Sequence, residues 1–239
     1  MRRLFLLAAL CMVSFAANAF TADELIAKNV AARGGMGKIE ALKSVHVTGT
    51  FKPGGGVEFG FEQTIKRGMV RTEISVQGLT IVQAYDGKEG WSINPLQGRK
   101  DPERLPADNV KGLADQADLD GPLVNYKGKG SKVEYLGTED VDGSEAHKLR
   151  VTQANGDKKI IYLDPDYFLE IRRLDQRQIH GRLVEQEIDY GDYEKVEGVY
   201  MPFEVAAGGK GDTEKAAVVI DKAEPNVAAD DAQFHFPAK

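Results

Sequence analysis

The sequence predicts a mainly β chain of the α+β class: one large, strongly curved antiparallel sheet or a near-closed barrel, with helices against one face. Three observations carry this. From Ser44 onward, apolar residues recur at every second position in segments joined by short glycine-containing turns, which is the signature of consecutive hairpins. These joins are too short for the crossovers of a dozen or more residues that parallel strands require. Helix signals are confined to the stretch before Ser44 and to one proline-containing stretch between the strands.

The chain opens "MRRLFLLAALCMVSFAANAF", with Arg2 and Arg3 before an apolar run from Leu4 to Ala17 and an Ala17-Asn18-Ala19 cleavage pattern. This is read as a secretory signal peptide over residues 1–19, cut before Phe20. The apolar run falls short of the roughly 20 residues a membrane-spanning helix needs. Cys11 is the only cysteine, and bulky Leu10 beside it argues against lipid modification there. The exported chain then has no cysteine for a disulfide, a thiolate nucleophile or a thiolate metal site, although export leads to an oxidising compartment. Loss of Arg2 and Arg3 takes the formal charge from -6 to -8. An acidic chain without a basic run is a poor partner for nucleic acid or anionic lipid headgroups. Residues 20–239 are expected to form a single domain, large enough to bury about 70% of its extended surface.

In "TADELIAKNVAARGG", Thr21 and Glu24 make a capping box, Leu25, Ile26, Val30 and Ala31 lie close to one face, and Gly34 and Gly35 end the helix. A second short helix follows in "MGKIEALK", with Ile39 and Leu42 apolar. The period then changes to two: Val45, Val47 and Phe51, then Val57, Phe59, Phe61 and Ile65, then Val70, Thr72, Ile74 and Val76, then Leu79, Ile81 and Tyr85. After the Asp86-Gly87 turn comes "GWSIN", with the only tryptophan, Trp91. Residues 95–130 break the pattern and read as a helical lid over the sheet, with helical pieces around Pro106 to Ala117 and Leu119 to Tyr126. Seven more strands follow, from "KVEYLG" to "KAAVVIDKAE", and Pro202 in the sixth marks an edge or bulged position.

Chemistry-bearing patterns are sparse. "GGMGK" lacks the spacing of a phosphate-binding loop and ends a helix instead of following a strand. The four histidines, His46, His147, His180 and His235, form no close pair, and "ADLDGP" lacks the spaced oxygen ligands of a calcium loop. No Gly-x-Ser-x-Gly elbow is present, and carboxylate pairs such as Glu185 and Glu187 are explained by a solvated strand face. No catalytic residue, metal site or cofactor is therefore assigned, and the expected role is non-enzymatic.

The phrases "LIAKNVAARGGMGKIEALKSVHVTGTF", "YDGKEGWSINPLQG", "VDGSEAHKLRVTQANGDKKIIYLDPDYFLEIRR" and "DYEKVEGVYMPFEV" resemble the outer membrane lipoprotein-sorting protein family. That family is similar to the periplasmic lipoprotein carrier and its outer-membrane receptor. The resemblance implies a highly curved antiparallel sheet forming an unclosed β-barrel, its concave apolar side covered by helices and holding lipid or the acyl chains of a lipoprotein.

Two functions follow. One is periplasmic carriage of a lipid or acylated lipoprotein, with Val47, Phe59, Phe61, Ile74, Ile81 and Leu163 lining the concave face and Trp91 at the boundary between sheet and lid. The other is a structural or sensory module with a dry core that contacts inner- or outer-membrane envelope proteins. Alternation identifies the inner face; it does not measure empty volume.

Overall fold

The computed structural model describes residues 20–237. The leader assigned to residues 1–19, with Cys11, lies outside them. Helix α1 (Ala22–Ala32) begins where Thr21 Oγ1 accepts from the Glu24 N–H at 3.2 Å and Glu24 Oε2 accepts from the Thr21 N–H at 2.8 Å. It ends where the Gly35 N–H reaches the Val30 carbonyl at 2.8 Å. Gly34 has a φ of 118°, and a Cβ there would stand 2.0 Å from the Gly198 carbonyl oxygen, so only glycine lets this turn press against the sheet. Helix α2 (Met36–Ala41) follows at once.

A first meander runs through β1 (Ser44–Lys52), β2 (Phe59–Lys66), β3 (Met69–Val76), β4 (Leu79–Tyr85), β5 (Gly90–Asn94) and β6 (Arg99–Arg104). Helix α3 (Ala107–Gln116) and a run of turns over residues 118–130 lead into the second. This comprises β7 (Lys132–Val141), β8 (Ser144–Thr152), β9 (Lys158–Leu163), β10 (Glu170–Ile179), β11 (Arg182–Val196), β12 (Val199–Gly209) and β13 (Ala216–Pro225). All pairs are antiparallel, and the two meanders join where β1 pairs with β13, from Val45 opposite Pro225 to Lys52 opposite Ala217. The result is one thirteen-stranded sheet in the order β6-β5-β4-β3-β2-β1-β13-β12-β11-β10-β9-β8-β7.

The expected highly curved sheet forming an unclosed barrel is corrected by this topology. The sheet is open, is not curled up into a barrel, and its outermost strands β6 and β7 have one neighbour each. Both edges carry residues that oppose further pairing. β6 reads "RKDPER", where charges line the edge and Pro102 removes a donor. β7 loses register between Tyr135 and Thr138, around Gly137 at a φ of 92°.

Within residues 95–130, α3 forms at the first predicted helical piece, with Pro106 at its N-cap. The second piece, Leu119 to Tyr126, is a series of turns, because Gly121 takes a φ of 82° and Pro122 follows it. β6 is a strand that the alternation does not announce. Pro202 lies beyond the β12–β13 ladder, which covers only Glu204 to Ala207 on the β12 side, so its missing N–H leaves no hole there.

Apolar side chains are buried on both faces. On one, Leu25 and Ile26 of α1 pack with Leu123 on Leu149, Val151, Ile161 and Leu163. Ile39 of α2 and Leu42 just past it pack on Val45, Val47 and Phe61, while Leu113 of α3 and Ala117 after it pack on Val70. On the other, the C-terminal segment covers Val82, Ala84 and Trp91, with Phe236 against them. Ile160, Tyr162 and Leu174 make a further cluster on that side, next to Ile161 and Leu163 in sequence but on the opposite parity.

Candidate functional site

The helix-covered face contains an apolar row that the helices do not fully bury. Direct cross-strand partners place Ile81 beside Ile74 and Ile74 beside Phe61, while Phe59 stands beside Phe51, Phe51 beside Val218, Val218 beside Val205, and Val205 beside Tyr190. Directly opposed residues of an antiparallel pair share a face, so these side chains form one band. It crosses seven strands, about 29 Å at the usual interstrand spacing. Phe61 is buried; Ile81, Ile74, Phe59, Phe51, Val218, Val205 and Tyr190 are half-buried. The helices explain this gradient: α2 covers the end of the face near Val45 and Val47, and α3 covers Val70, which leaves the far ends of β1 to β4 partly open.

Beyond Tyr190 the same face turns ionic. The Arg173 guanidinium lies over the Tyr190 ring, 5.7 Å from its centroid. Asp175, fully buried, is shared by three cations: Lys159 Nζ at 3.3 Å, Arg177 Nη2 at 2.6 Å and Arg173 Nε at 2.9 Å. The last pair is close without the alignment of a hydrogen bond, which leaves Arg173 Nε a buried donor with no acceptor. From α3, Asp115 Oδ2 accepts from Lys159 Nζ at 2.6 Å and pairs with Arg177.

Burial works to raise the Asp115 carboxyl, but the charges of Lys159 and Arg177 outweigh it and hold the group below the usual carboxylate range. Glu170 shows the reverse: burial pushes its carboxyl above the ordinary value despite Arg173 and Arg33 nearby. Helix α3 therefore touches both flanks of the sheet. Leu113 packs on Val70 at one, and Asp115, Lys111 (Nζ to the Gln178 carbonyl, 3.0 Å) and Asp108 (accepting from the His180 N–H, 3.1 Å) engage β9 and the β10–β11 turn at the other.

Of the residues singled out in the sequence, Val47, Phe61 and Ile74 fall in one cluster, with Phe59 and Ile81 joined to it by register. Leu163 lies on the same face in the cluster under α1. Trp91 is elsewhere: it pairs with Ala84 and points to the opposite face, buried against Phe236, with its Nε1 donating to the Phe234 carbonyl at 2.8 Å. Its neighbour Gly90 does face the lid; a Cβ there would come within 3.0 Å of Val110. Lys159, Arg173, Asp175, Arg177 and Asp115 are the residues that sequence reading passed over.

Two recesses open elsewhere, of about 320 Å³ beside the end of α3 (Arg67, Tyr85, Ala117, Asp120) and about 430 Å³ on the uncovered face (Lys148, Arg150, Ile160, Arg172). Neither is lined by a residue of the apolar row. Among the described residues no group of three or more His, Cys, Asp or Glu is placed to hold a metal ion.

No protein-family model matches the sequence, and no curated protein does. Solved structures do. A LolA superfamily protein from Nitrosomonas europaea superposes with a TM-score of 0.57 at 16% identity, covering 91% of this chain and 98% of that one. The fold resembles that of the LolA superfamily. The same LolA-like fold links the chain to a DUF1329 family protein from Desulfovibrio piger (TM-score 0.59, 14% identity, 90% of this chain and 97% of that one). It also links it to a domain from Vibrio parahaemolyticus named for outer membrane lipoprotein sorting (TM-score 0.57, 11% identity, 87% and 94%). At these identities the likeness to LolA proteins is one of fold, and function rests on the site itself.

Proposed function

We propose that this protein binds and carries, in the periplasm, a lipid or the acyl chains of a lipoprotein along the apolar row of its helix-covered face. The observation that supports this reading is the band from Ile81 to Val205, half-buried at every member but the buried Phe61. A dry structural core buries its apolar side chains fully, as Leu25, Leu149 and Ile161 do here; this band stays partly open, and an acyl chain laid on it gains about 0.8 kcal/mol per methylene removed from water. Helix α3 and the turns after it, residues 107–130, act as the lid, resting on the sheet through Leu113, Leu123 and Val124, while β6 in the earlier part of the 95–130 stretch belongs to the sheet. The LolA-like fold and the predicted leader agree with an envelope role. No helix of the described residues is long and apolar enough to cross a membrane.

Native mass spectrometry of protein expressed with its leader, paired with lipid extraction of the same sample, tests the reading. A discrete adduct that extracts as a lipid or acyl species is expected. A clean apo mass that does not shift when candidate lipids are added would remove the carrier reading and favour an envelope interaction module.

A further inference from the structure

The sheet beneath α3 is short of negative charge. Its buried face presents Lys159, Arg173 and Arg177 against one fully buried carboxylate, Asp175. Burial raises the nearby Glu170 carboxyl above its ordinary range. The balancing anion is Asp115, and it comes from the helix, not from the sheet. Any displacement of α3 leaves Lys159 and Arg177 with an acceptor missing in a partly desolvated place, a situation that strongly favours a replacement anion. Arg173 Nε already lacks an acceptor with α3 in place.

The position of this excess matters as much as its sign. Arg173 stacks on Tyr190, and Tyr190 ends the apolar row. A molecule with an apolar tail on Phe51, Val218 and Val205 thus has its head at Arg173, Lys159 and Arg177.

We infer that, against the expectation from net charge, the ligand is an amphiphile with an anionic headgroup, phosphate or carboxylate, which takes the place of the Asp115 carboxylate on Lys159 and Arg177 as α3 lifts from the sheet; the fold gathers locally the cations that the sequence scatters. This rests on the carrier reading and specifies its ligand. Asp115 is then a resident stand-in for the headgroup: it keeps the cations paired while the protein is empty and competes with the ligand when it arrives. A guanidinium and an ammonium side by side suit a phosphate monoester, with Arg177 presenting a fork and Lys159 a point charge.

Isothermal titration of the leaderless protein with dioctanoyl phosphatidic acid, with dioctanoylglycerol and with inorganic phosphate, each below the concentration at which it aggregates, separates the possibilities. The phosphatidic acid is expected to bind at least about tenfold more tightly than the glycerol analogue, one charge-assisted contact sufficing for that ratio. Asp115→Asn is expected to raise its affinity further and Arg177→Gln to bring the ratio close to one. Thermal melts establish that each variant is folded; if Asp115→Asn is not, Arg177→Gln decides. Equal binding of the two lipids would overturn the anionic-head inference and leave the carrier reading standing. Binding of neither lipid would overturn both. Inorganic phosphate binding as tightly as phosphatidic acid would show that the tail plays no part, and would overturn the inference as well.

Discussion

The helix-covered face holds its helices in two different ways. Helices α1 and α2 are fixed by fully buried apolar contacts, Leu25 on Leu149 and Ile161, and Ile39 on Val45, an attraction that nothing in water replaces. Helix α3 has one buried apolar side chain, Leu113 on Val70, with half-buried Val110 beside Gly90, and otherwise depends on polar contacts to the sheet: Asp115 with Lys159 and Arg177, Lys111 with the Gln178 carbonyl and Asp157, and Asp108 with the His180 N–H. Buried ion pairs give back in Coulomb attraction roughly what desolvation takes, so they hold a helix less firmly than buried apolar contacts do. The contrast bears on the proposed ligand: α1 and α2 are part of the scaffold, and α3 is the element that the anionic-head proposal requires the ligand to displace.

Substitutions sharpen or break this contrast. The largest effect is expected at Asp175. Asp175→Ala leaves Lys159, Arg173 and Arg177 with one fewer partner inside the fold and should lower stability by about 3–5 kcal/mol, read from urea unfolding. A loss under about 1 kcal/mol would show that water already reaches the cluster. Next comes Leu25→Ala, a fully buried truncation on the apolar side, expected to lose about 2–5 kcal/mol by the same measurement. Phe51→Ala, half-buried in the open row, should lose clearly less than Leu25→Ala; equal losses would mean the row is as tightly packed as the core.

The two carboxyls of the ionic region should respond to pH with opposite signs. Asp115 titrates lower in the folded state than its ordinary 3.8, so its contribution is present above that pH and is lost as pH falls through the folded value. The stability gap between wild type and Asp115→Asn should therefore close in acid. Glu170 titrates above its ordinary 4.5 when folded, so its ionisation opposes folding as pH rises through the folded value. Glu170→Gln should raise the melting temperature at pH 7, with the gain vanishing below pH 4.5. A gain independent of pH would assign the effect to packing. The smallest change in ligand binding is expected at Trp91→Phe, which unpairs the Phe234 carbonyl and leaves a void, costing about 1–3 kcal/mol of stability, while the proposed ligand row on the other face is untouched.

What was legible in the sequence was local. The Thr21 and Glu24 cap, the hairpins and the start of α3 after Pro106 are written within a few residues, and each forms where its chemistry places it. β6 was hidden because "RKDPER" has no apolar alternation; it is an edge, held by Trp91 opposite Arg104. Trp91 was misplaced because β4 is apolar on both parities, Ile81 and Tyr85 on one, Val82 and Ala84 on the other, and only pairing shows which it joins. Closure was overread, since alternation specifies an inner face and says nothing about how far a sheet rolls. The ionic cluster left one usable trace: in "KKIIYLD" Lys159 shares the parity of Ile161 and Leu163, so a charge stands where the pattern demands an apolar residue. Its partners Asp115 and Asp175 come from other elements, and no spacing within one strand reveals them.

The most direct test of the account uses the absence of cysteine from the described residues. Phe51→Cys, in the apolar row, and Leu183→Cys, 57% exposed at the start of β11, are each labelled with an environment-sensitive fluorophore and titrated with dioctanoyl phosphatidic acid. The account predicts a saturable blue shift from the label at residue 51 and none from that at residue 183. An unmoved spectrum at residue 51, or equal shifts at both, would contradict it.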